Sequence, residues 1–289
     1  MVIVAGTLPF PFKGLGLLHG KVEVEGERLR IGGATFPISR GTAAIAAACA
    51  LATEGEVEAV VVGDTGKGEG SAELYRFLEE EVPRLSPKVV CLGYVMPNKE
   101  LHDRAFKALG RMNPRPLLVA DAGFMYVAKM SGKAIHYDLF CPDLGELAFL
   151  ADEKAPHPFY TRGFIFHMTE RVPELIKGAY ETGGAAKVLL VKGERDYVCK
   201  DGEILEVIEE PKVPDLEPIG GTGDTITGMT AALIAQGFSL VDAAARAARA
   251  NRRTGELACP NPATQIGEIL HHIPRALEEV VWNENRCKG

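Results

Sequence analysis

The sequence predicts an α/β fold with a mostly parallel central sheet and helices on both of its faces. Short apolar runs alternate with amphipathic stretches over the first two-thirds of the chain, as in successive βα units. The apolar runs are continuous, which is typical of strands that are covered on both faces. A chain of 289 residues is long enough to bury a large core, and we expect residues 1–289 to form a single domain.

Each element follows from the spacing of apolar residues. The continuous runs predict strands at 2–5, 59–63, 89–93, 117–121, 139–142 and 188–192. Helical spacing between them predicts helices near 41–53, 70–82, 98–109, 122–131, 143–151 and 170–182. Two further regions, 21–31 and 197–208, are predicted to be hairpins. Three helices are predicted to follow at 223–236, 240–258 and 264–280, and the alanine repeat of the middle one indicates close packing.

Polar or glycine-containing segments follow five of these strands. They are Gly63-Asp64, Gly93-Tyr94, Asp121-Ala122-Gly123, Pro142-Asp143 and Lys192-Gly193. In an open parallel sheet, ligands bind at the carboxyl ends of the strands. We therefore expect these segments to line one rim of the sheet.

The segment Gly220-Gly221-Thr222-Gly223-Asp224 directly precedes or opens a predicted helix. A helix start presents unpaired amides and a partial positive charge, and glycines let the backbone come close to a ligand. The segment is therefore a candidate phosphate site. Asp224 could take a proton from a hydroxyl group beside that phosphate. The alternative is ordinary helix-start chemistry, in which glycine and Asp serve only the fold.

Three more side chains at strand ends are candidates, each with a structural alternative. Lys192, followed by Gly193, could reach a nucleotide phosphate, or it could be a surface lysine at a hairpin. Asp121 could bind substrate or cap the next helix. Glu146, three residues after Asp143, could order waters around Mg²⁺ or complete a capping box.

Composition limits the partners and the compartment. The formal net charge is −7 and no basic cluster stands out, so we expect no nucleic-acid partner. The six cysteines are scattered without a Cys-x-x-Cys pair, which argues against zinc and disulfides and favours a cytoplasmic location. The longest apolar run, 43–52, is too short to span a bilayer, so we expect no membrane partner. Neither a P-loop nor a Gly-x-Gly-x-x-Gly follows a strand.

Several motifs together resemble the ribokinase-like superfamily. They are Cys-Pro-Asp-Leu-Gly-Glu146, Val-Leu-Leu-Val-Lys-Gly193, Gly-Gly-Thr-Gly-Asp224, Gly228-Met-Thr-Ala-Ala-Leu-Ile-Ala-Gln-Gly237 and the segment Asp242 to Asn251. Within that superfamily the chain is most similar to the ADP- or ATP-dependent NAD(P)H-hydrate dehydratases. The resemblance is specific over 186–258 and looser over 85–150. It implies the three-layer ribokinase-like fold.

The resemblance also implies cofactors and roles. ATP or ADP, with Mg²⁺ near Glu146, would lie between the C-terminal helices and the Lys192 hairpin. The transferable phosphate would face Gly220, Gly221, Thr222 and Gly223, and Asp224 would activate the acceptor hydroxyl. Asp121 and Gly41, the latter in a reduced glycine-rich entry, would contact a small-molecule substrate.

The substrate end departs from the family pattern. Asp121-Ala-Gly123 stands where Asp-Ala-Asp is usual, and Gly93-Tyr94-Val95-Met96 stands in place of a Gly-Pro-Gly-type loop. Three functions therefore stay open. They are an NAD(P)H-hydrate dehydratase, a kinase for a sugar, hydroxymethylpyrimidine or hydroxyethylthiazole, and a non-catalytic nucleotide-binding protein.

The segment 152–169 is unusually aromatic for a solvated loop. Internal packing, a lid over the site and a contact in a homo-oligomer are all compatible with such a composition.

Overall fold

The computed structural model describes residues 1–8, 16–53, 55–155 and 171–282. Within them, eleven strands form one sheet in the order β11-β10-β9-β8-β7-β6-β1-β5-β2-β3-β4. The strands are β1 Val2–Leu8, β2 Leu18–Glu25, β3 Arg28–Ile31, β4 Ala34–Pro37, β5 Val57–Gly63, β6 Val89–Leu92, β7 Leu117–Ala120, β8 Leu139–Phe140, β9 Val188–Val191, β10 Asp196–Lys200 and β11 Glu203–Ile208.

The centre of the sheet is parallel and its two ends are antiparallel. β5, β1, β6, β7, β8 and β9 run parallel to their neighbours in this series. β10 and β11 extend one end in antiparallel fashion, and β2, β3 and β4 extend the other. All six parallel strands therefore end at the same edge of the sheet, and the predicted rim is confirmed.

The helices alternate with the strands as the sequence predicts. They are α1 Thr42–Leu51, α2 Glu69–Glu80, α3 Val82–Leu85, α4 Lys99–Gly110, α5 Ala122–Met130, α6 Leu144–Ala151, α7 Val172–Glu181, α8 Thr222–Gln236, α9 Leu240–Ala258, α10 Ile266–Leu270 and α11 Ile273–Leu277. One core cluster packs α1, α8, α9, α10 and α11 against one face of the sheet. A second packs α2, α4, α5, α6 and α7 against the other. The fold is thus a three-layer α/β structure.

Small residues let α1 and α8 approach each other closely. A Cβ added at Gly228 of α8 would lie 2.3 Å from the carbonyl oxygen of Ile45 in α1. The alanines at 43, 44, 46, 47 and 48 in α1 and those at 243, 244, 247 and 248 in α9 are fully buried. The predicted close packing of the alanine-rich helices is confirmed, and it fixes α8 beside the rim.

Two sequence predictions need correction. A single helix over 264–280 is wrong, because the chain forms two short helices and then a π-helical turn, Glu278–Trp282. Pro274 lies in the first turn of α11, where a backbone N–H has no partner within the helix, so its absence has no cost. The same missing N–H prevents α10 from continuing through this position. The hairpin predicted at 21–31 is part of a three-stranded meander that includes β4. Most of the aromatic segment 152–169, namely residues 156–169, lies outside the described residues.

Two predicted absences can be compared with the described part of the chain. It contains no helix that is long and apolar enough to cross a membrane. Its cysteines are unpaired thiols: Cys49, Cys91, Cys141 and Cys199 are buried and Cys259 is exposed.

Candidate functional site

The glycine turn opens α8 at the rim. Gly221 is the N-cap of the helix and has φ 111°, a conformation that favours glycine. A Cβ there would lie 3.0 Å from the Ile266 side chain and 3.3 Å from the Arg40 backbone. The carbonyl of Thr222 accepts a hydrogen bond from Asn251 Nδ2 of α9 at 3.1 Å, which fixes the turn. The first amides of α8 have no partner within the helix, and such a helix start is suited to binding an anion.

Asp224 lies in the first turn of α8, just beneath this opening. It is 7 % exposed. Its Oδ2 accepts a hydrogen bond from the Gly41 amide at 2.7 Å, and the Tyr94 hydroxyl lies near enough to favour its charged form. Burial, aided by the negative charge of Asp121, raises the pKa of Asp224 to about 6, although Lys192, the Gly41 hydrogen bond and the Tyr94 hydroxyl oppose the shift. A carboxylate with this pKa is suited to accept a proton near neutral pH.

Lys192 and Asp121 form a buried ion pair rather than two independent ligands. Lys192 Nζ lies 2.7 Å from Asp121 Oδ2, and Thr227 Oγ1 donates to the same oxygen at 2.5 Å. The other oxygen, Oδ1, accepts from the Ala122 amide at 2.8 Å, so Asp121 also caps α5. The structure therefore unites the predicted phosphate lysine, the predicted substrate carboxylate and the capping alternative in one cluster.

Lys192 places a fixed positive charge beside the glycine turn. A Cβ added at Gly223 would lie 3.8 Å from Lys192 Nζ, so the ammonium group lies directly beside the glycine turn. Burial disfavours the charged lysine, but the carboxylates of Asp121, Glu146 and Asp224 raise the pKa of Lys192 well above its usual range. The lysine is therefore charged at neutral pH.

The predicted Lys192-Gly193 turn is held from α9. Arg252 is buried and donates to Asp196 at 2.8 Å, to the Gly193 carbonyl at 3.2 Å and to the Glu194 carbonyl at 2.8 Å. The Gly193 amide donates to Asp196 at 3.1 Å. Gly193 itself is exposed at the rim.

Glu146 completes a capping box with Asp143 at the start of α6. Its Oε2 accepts from the Asp143 amide at 2.9 Å, and its Oε1 accepts from the Tyr126 hydroxyl at 2.6 Å. Burial and the charges of Asp143 and Asp121 raise the pKa of Glu146 to about 8. The described residues contain no group of three or more His, Cys, Asp or Glu side chains that could hold a metal ion.

This environment fits an outer-sphere role in binding Mg²⁺. Each carboxylate oxygen of Glu146 accepts one of the hydrogen bonds above and keeps a further lone pair. Mg²⁺ is usually held by phosphate oxygens and waters with only one or two carboxylates. A nearby cation would favour the charged form of Glu146.

Several residues of the site were not predicted from the sequence as functional. They are Thr227, Tyr126, Asn251, Arg252 and the Tyr94 side chain. Tyr94 had a signal, since it follows a strand at the rim. Asn251 ends the family-like segment and Arg252 directly follows it, but the resemblance assigned no role to either residue. Nothing in the spacing of Thr227 indicated its partner.

A separate cavity lies at the opposite edge of the sheet. It has a volume of about 210 Å³ and is lined by Pro83, Ser86, Ala108, Arg111, Met112, Asn113 and Pro114. Arg111 is the charged residue in this lining. The cavity therefore lacks the acid and base that the rim provides.

The three-layer α/β fold has a glycine-opened helix beside a buried carboxylate at the rim of its sheet. This combination places the chain in the ribokinase-like class of proteins. A family model described as NAD(P)H-hydrate dehydratase matches residues 41–277. The chain belongs to this NAD(P)H-hydrate dehydratase family.

Sequence relatives agree with the assignment to this family. An uncharacterized protein of Methanocaldococcus jannaschii is 41% identical over 229 residues, which are 79% of this chain and 94% of the relative. The ADP-dependent (S)-NAD(P)H-hydrate dehydratase of Haloterrigena turkmenica is 34% identical over 96 residues, which are 32% of this chain and 35% of the relative. A bifunctional NAD(P)H-hydrate repair enzyme of Hyperthermus butylicus is 34% identical over 38% of this chain and 20% of its own length. The match to these two enzymes thus covers about a third of their own length or less.

Solved structures share the fold. The ADP/ATP-dependent NAD(P)H-hydrate dehydratase of Bacillus subtilis, co-crystallized with ATP/Mg²⁺ and soaked with CoA, has a TM-score of 0.58 at 14% identity. The alignment covers 96% of this chain and 91% of that one. Hydroxyethylthiazole kinase of Pyrococcus horikoshii has a TM-score of 0.56 at 17% identity, with 99% and 90% coverage. At these identities the likeness establishes the ribokinase-like fold.

Proposed function

We propose that this protein is a nucleotide-dependent NAD(P)H-hydrate dehydratase, which regenerates NADH or NADPH from the hydrated form. One observation carries the proposal. The Asp224 carboxylate, with a pKa near 6, lies in the first turn of a glycine-opened helix at the ligand rim of the sheet. Membership of the dehydratase family supports the choice of substrate.

In this mechanism, Asp224 takes the proton from the hydroxyl group of the hydrated ring. The hydroxyl oxygen then forms a bond to the terminal phosphorus of ATP or ADP, and the bond from that phosphorus to the bridging oxygen breaks. The nucleotide leaves with one phosphate fewer. Departure of the new phosphate from the ring, with loss of a proton from the neighbouring carbon, restores the double bond. The oxygen of the added water ends in inorganic phosphate.

The chain supplies charge and orientation for this transfer. The first amides of α8 and the Lys192 ammonium would stabilise the negative charge on the transferred phosphate. Gly220, Gly221, Thr222 and Gly223 would let the phosphate approach the backbone. Glu146 would hold Mg²⁺ through waters, and the ion would supply neutralisation of the phosphate charge.

The direct test is repair of the hydrate. Purified protein would be incubated with hydrated NADH and either ATP or ADP, while the absorbance of the reduced nicotinamide ring is followed. Recovery that depends on nucleotide is expected, and no recovery with either nucleotide would contradict the proposal. Acceptor-dependent release of ADP from ATP with sugars, hydroxymethylpyrimidine or hydroxyethylthiazole would point to the kinase alternative instead.

The pH dependence should reveal the base. Because Asp224 must be unprotonated to accept a proton, and its pKa is raised to about 6, activity is expected to fall as the pH drops through about 6. The measurement is kcat/KM between pH 4.5 and 8.5, with nucleotide saturating. An acid limb near pH 4, the ordinary value for Asp, would contradict control of the reaction by a carboxylate whose pKa is raised.

Substituting Gly223 should separate nucleotide binding from catalysis. Gly223→Val places a branched side chain on the phosphate side of the turn, and we expect the nucleotide Kd to rise by about 10- to 100-fold through loss of charge-assisted amide contacts. Calorimetric titration with ATP and with ADP measures the effect. A Cβ at this position would make only an ordinary contact, 3.6 Å from Lys192 Cδ, so Gly223→Ala is a folded intermediate case. Wild-type affinity in both variants would exclude the turn as a phosphate site.

The wider setting is part of the proposal. Free thiols in the described residues support a reducing, cytoplasmic location. The continuous sheet supports one domain over 1–289. Family membership supports a small molecule as the partner. Self-association through 159–166 stays a prediction.

A further inference from the structure

The loop after β6 leaves two large side chains partly exposed to solvent at the rim. Tyr94 is 39 % exposed and Met96 is 42 % exposed, while Val95 between them is buried. Ligand sites are lined mainly by hydrophobic and aromatic side chains, so these two residues are candidates for contact with a ligand at the rim.

The backbone of this loop is fixed at each of the three residues. The Tyr94 carbonyl accepts from the Thr7 amide at 2.7 Å. The Met96 amide donates to Ser71 Oγ at 2.9 Å. The carbonyl oxygen of Val95 would lie only 2.1 Å from a Cβ at position 123, so Gly123 is needed for this packing. The exposure of Tyr94 and Met96 is therefore built in by a rigid loop.

Two departures from the family pattern thus belong together. Gly123 stands where a second Asp is usual, and its missing side chain leaves room for the loop that carries Tyr94. The ring of Tyr94 lies against Gly41, where a Cβ would be 3.3 Å from its Cε2, and its hydroxyl reaches Asp224. At the substrate end of the site, where the sequence departs from the family pattern, the Tyr94 phenol therefore lies next to Asp224.

We propose that Tyr94 is a positioning and specificity-determining residue, whose hydroxyl orients the Asp224 carboxylate while its ring forms a wall for a flat heterocycle that carries the acceptor hydroxyl. The inference rests on the proposed function for the identity of that heterocycle, the hydrated nicotinamide ring. Aromatic faces and a flexible thioether suit such a ring, since they bind planar apolar surface without charge.

The groups that act on Asp224 come from several elements. Asp121 at the end of β7 and Lys192 at the end of β9 face it, the Gly41 amide before α1 donates to it, and the Tyr94 hydroxyl lies close enough to favour its charged form. Tyr94→Phe removes one of these groups and leaves the rest unchanged. Because the hydroxyl favours the charged carboxylate, its loss should raise the pKa of Asp224.

The first experiment tests the hydroxyl without turnover. The carboxyl carbon of Asp224 would be titrated by NMR in ¹³C-aspartate-labelled, ligand-free protein. In Tyr94→Phe the midpoint is expected to rise by about one pH unit. Tyr180→Phe is the matched control, because its hydroxyl donates to the Cys199 carbonyl and not to Asp224. An unchanged midpoint in Tyr94→Phe would overturn the positioning role, whatever the substrate proves to be.

The second experiment tests the ring. Binding of hydrated NADH would be measured by calorimetry for wild type, Tyr94→Phe and Tyr94→Leu. We expect Tyr94→Leu to weaken binding about tenfold and Tyr94→Phe to leave it close to wild type. Binding that Tyr94→Leu leaves unchanged would overturn the wall alone. No binding to wild type would overturn both the wall and the proposed substrate, and the titration above would still decide the role of the hydroxyl.

Discussion

Asp224→Asn is expected to lower kcat by about 10² to 10⁴ while nucleotide affinity changes little. The amide side chain keeps the size of the carboxylate and can still accept from the Gly41 amide at 2.7 Å. It cannot accept a proton from the acceptor hydroxyl near neutral pH. The measurements are kcat for repair of the hydrate and Kd for ATP and ADP.

A matched control keeps the change of charge but moves it away from the rim. Asp201→Asn alters an exposed turn residue between β10 and β11, where φ is 53° and Asn is well tolerated. This variant should keep wild-type turnover. Equal activity in Asp224→Asn and wild type would remove Asp224 from the mechanism.

Asp121→Ala is expected to lower the free energy of unfolding by about 3 to 5 kcal/mol. The substitution leaves the Lys192 ammonium buried without its partner at 2.7 Å, and it removes the acceptor of Thr227 Oγ1. Lys192 is 8 % exposed and Asp121 is 2 % exposed, so water replaces little of what is lost. Urea unfolding at neutral pH measures the change.

Two companion variants make the result interpretable. Asp121→Asn retains an acceptor for Thr227 and should lose less stability than Asp121→Ala. It also provides the measurement if the alanine variant does not fold. Glu194→Ala breaks an exposed ion pair with Lys212 and should cost less than about 1 kcal/mol. A loss in Asp121→Ala as small as that in Glu194→Ala would show that the buried pair contributes nothing special to the fold.

The cluster at the rim combines stability and chemistry. Lys192 is paired with Asp121 and lies beside the glycine turn. Its positive charge lowers the pKa of Asp224 and so opposes part of the rise that burial causes. A nucleotide phosphate that arrives at Gly223 would therefore meet an ammonium group already in place. Such preorganised charge favours phosphoryl transfer, because little reorganisation is needed when negative charge develops.

Local sequence patterns were enough to predict the layered α/β fold, the shared rim and the glycine turn with its carboxylate. Continuous apolar runs identify strands buried on both faces, and parallel strands bring their carboxyl ends to one edge. Both inferences depend only on neighbours in the chain. The single helix predicted over 264–280 is wrong because Pro274, which lacks an amide N–H, cannot continue the preceding helix.

Only the tertiary structure decided which rim residues meet. Asp121 and Lys192 are 71 residues apart, and Gly41 and Asp224 are 183 apart, yet each pair is in hydrogen-bond contact. These contacts depend on the order of β6, β7, β8 and β9 in the sheet and on the close approach of α1 to α8. Burial then sets the pKa of Asp224, because desolvation is a property of the packed surroundings and not of the residue itself.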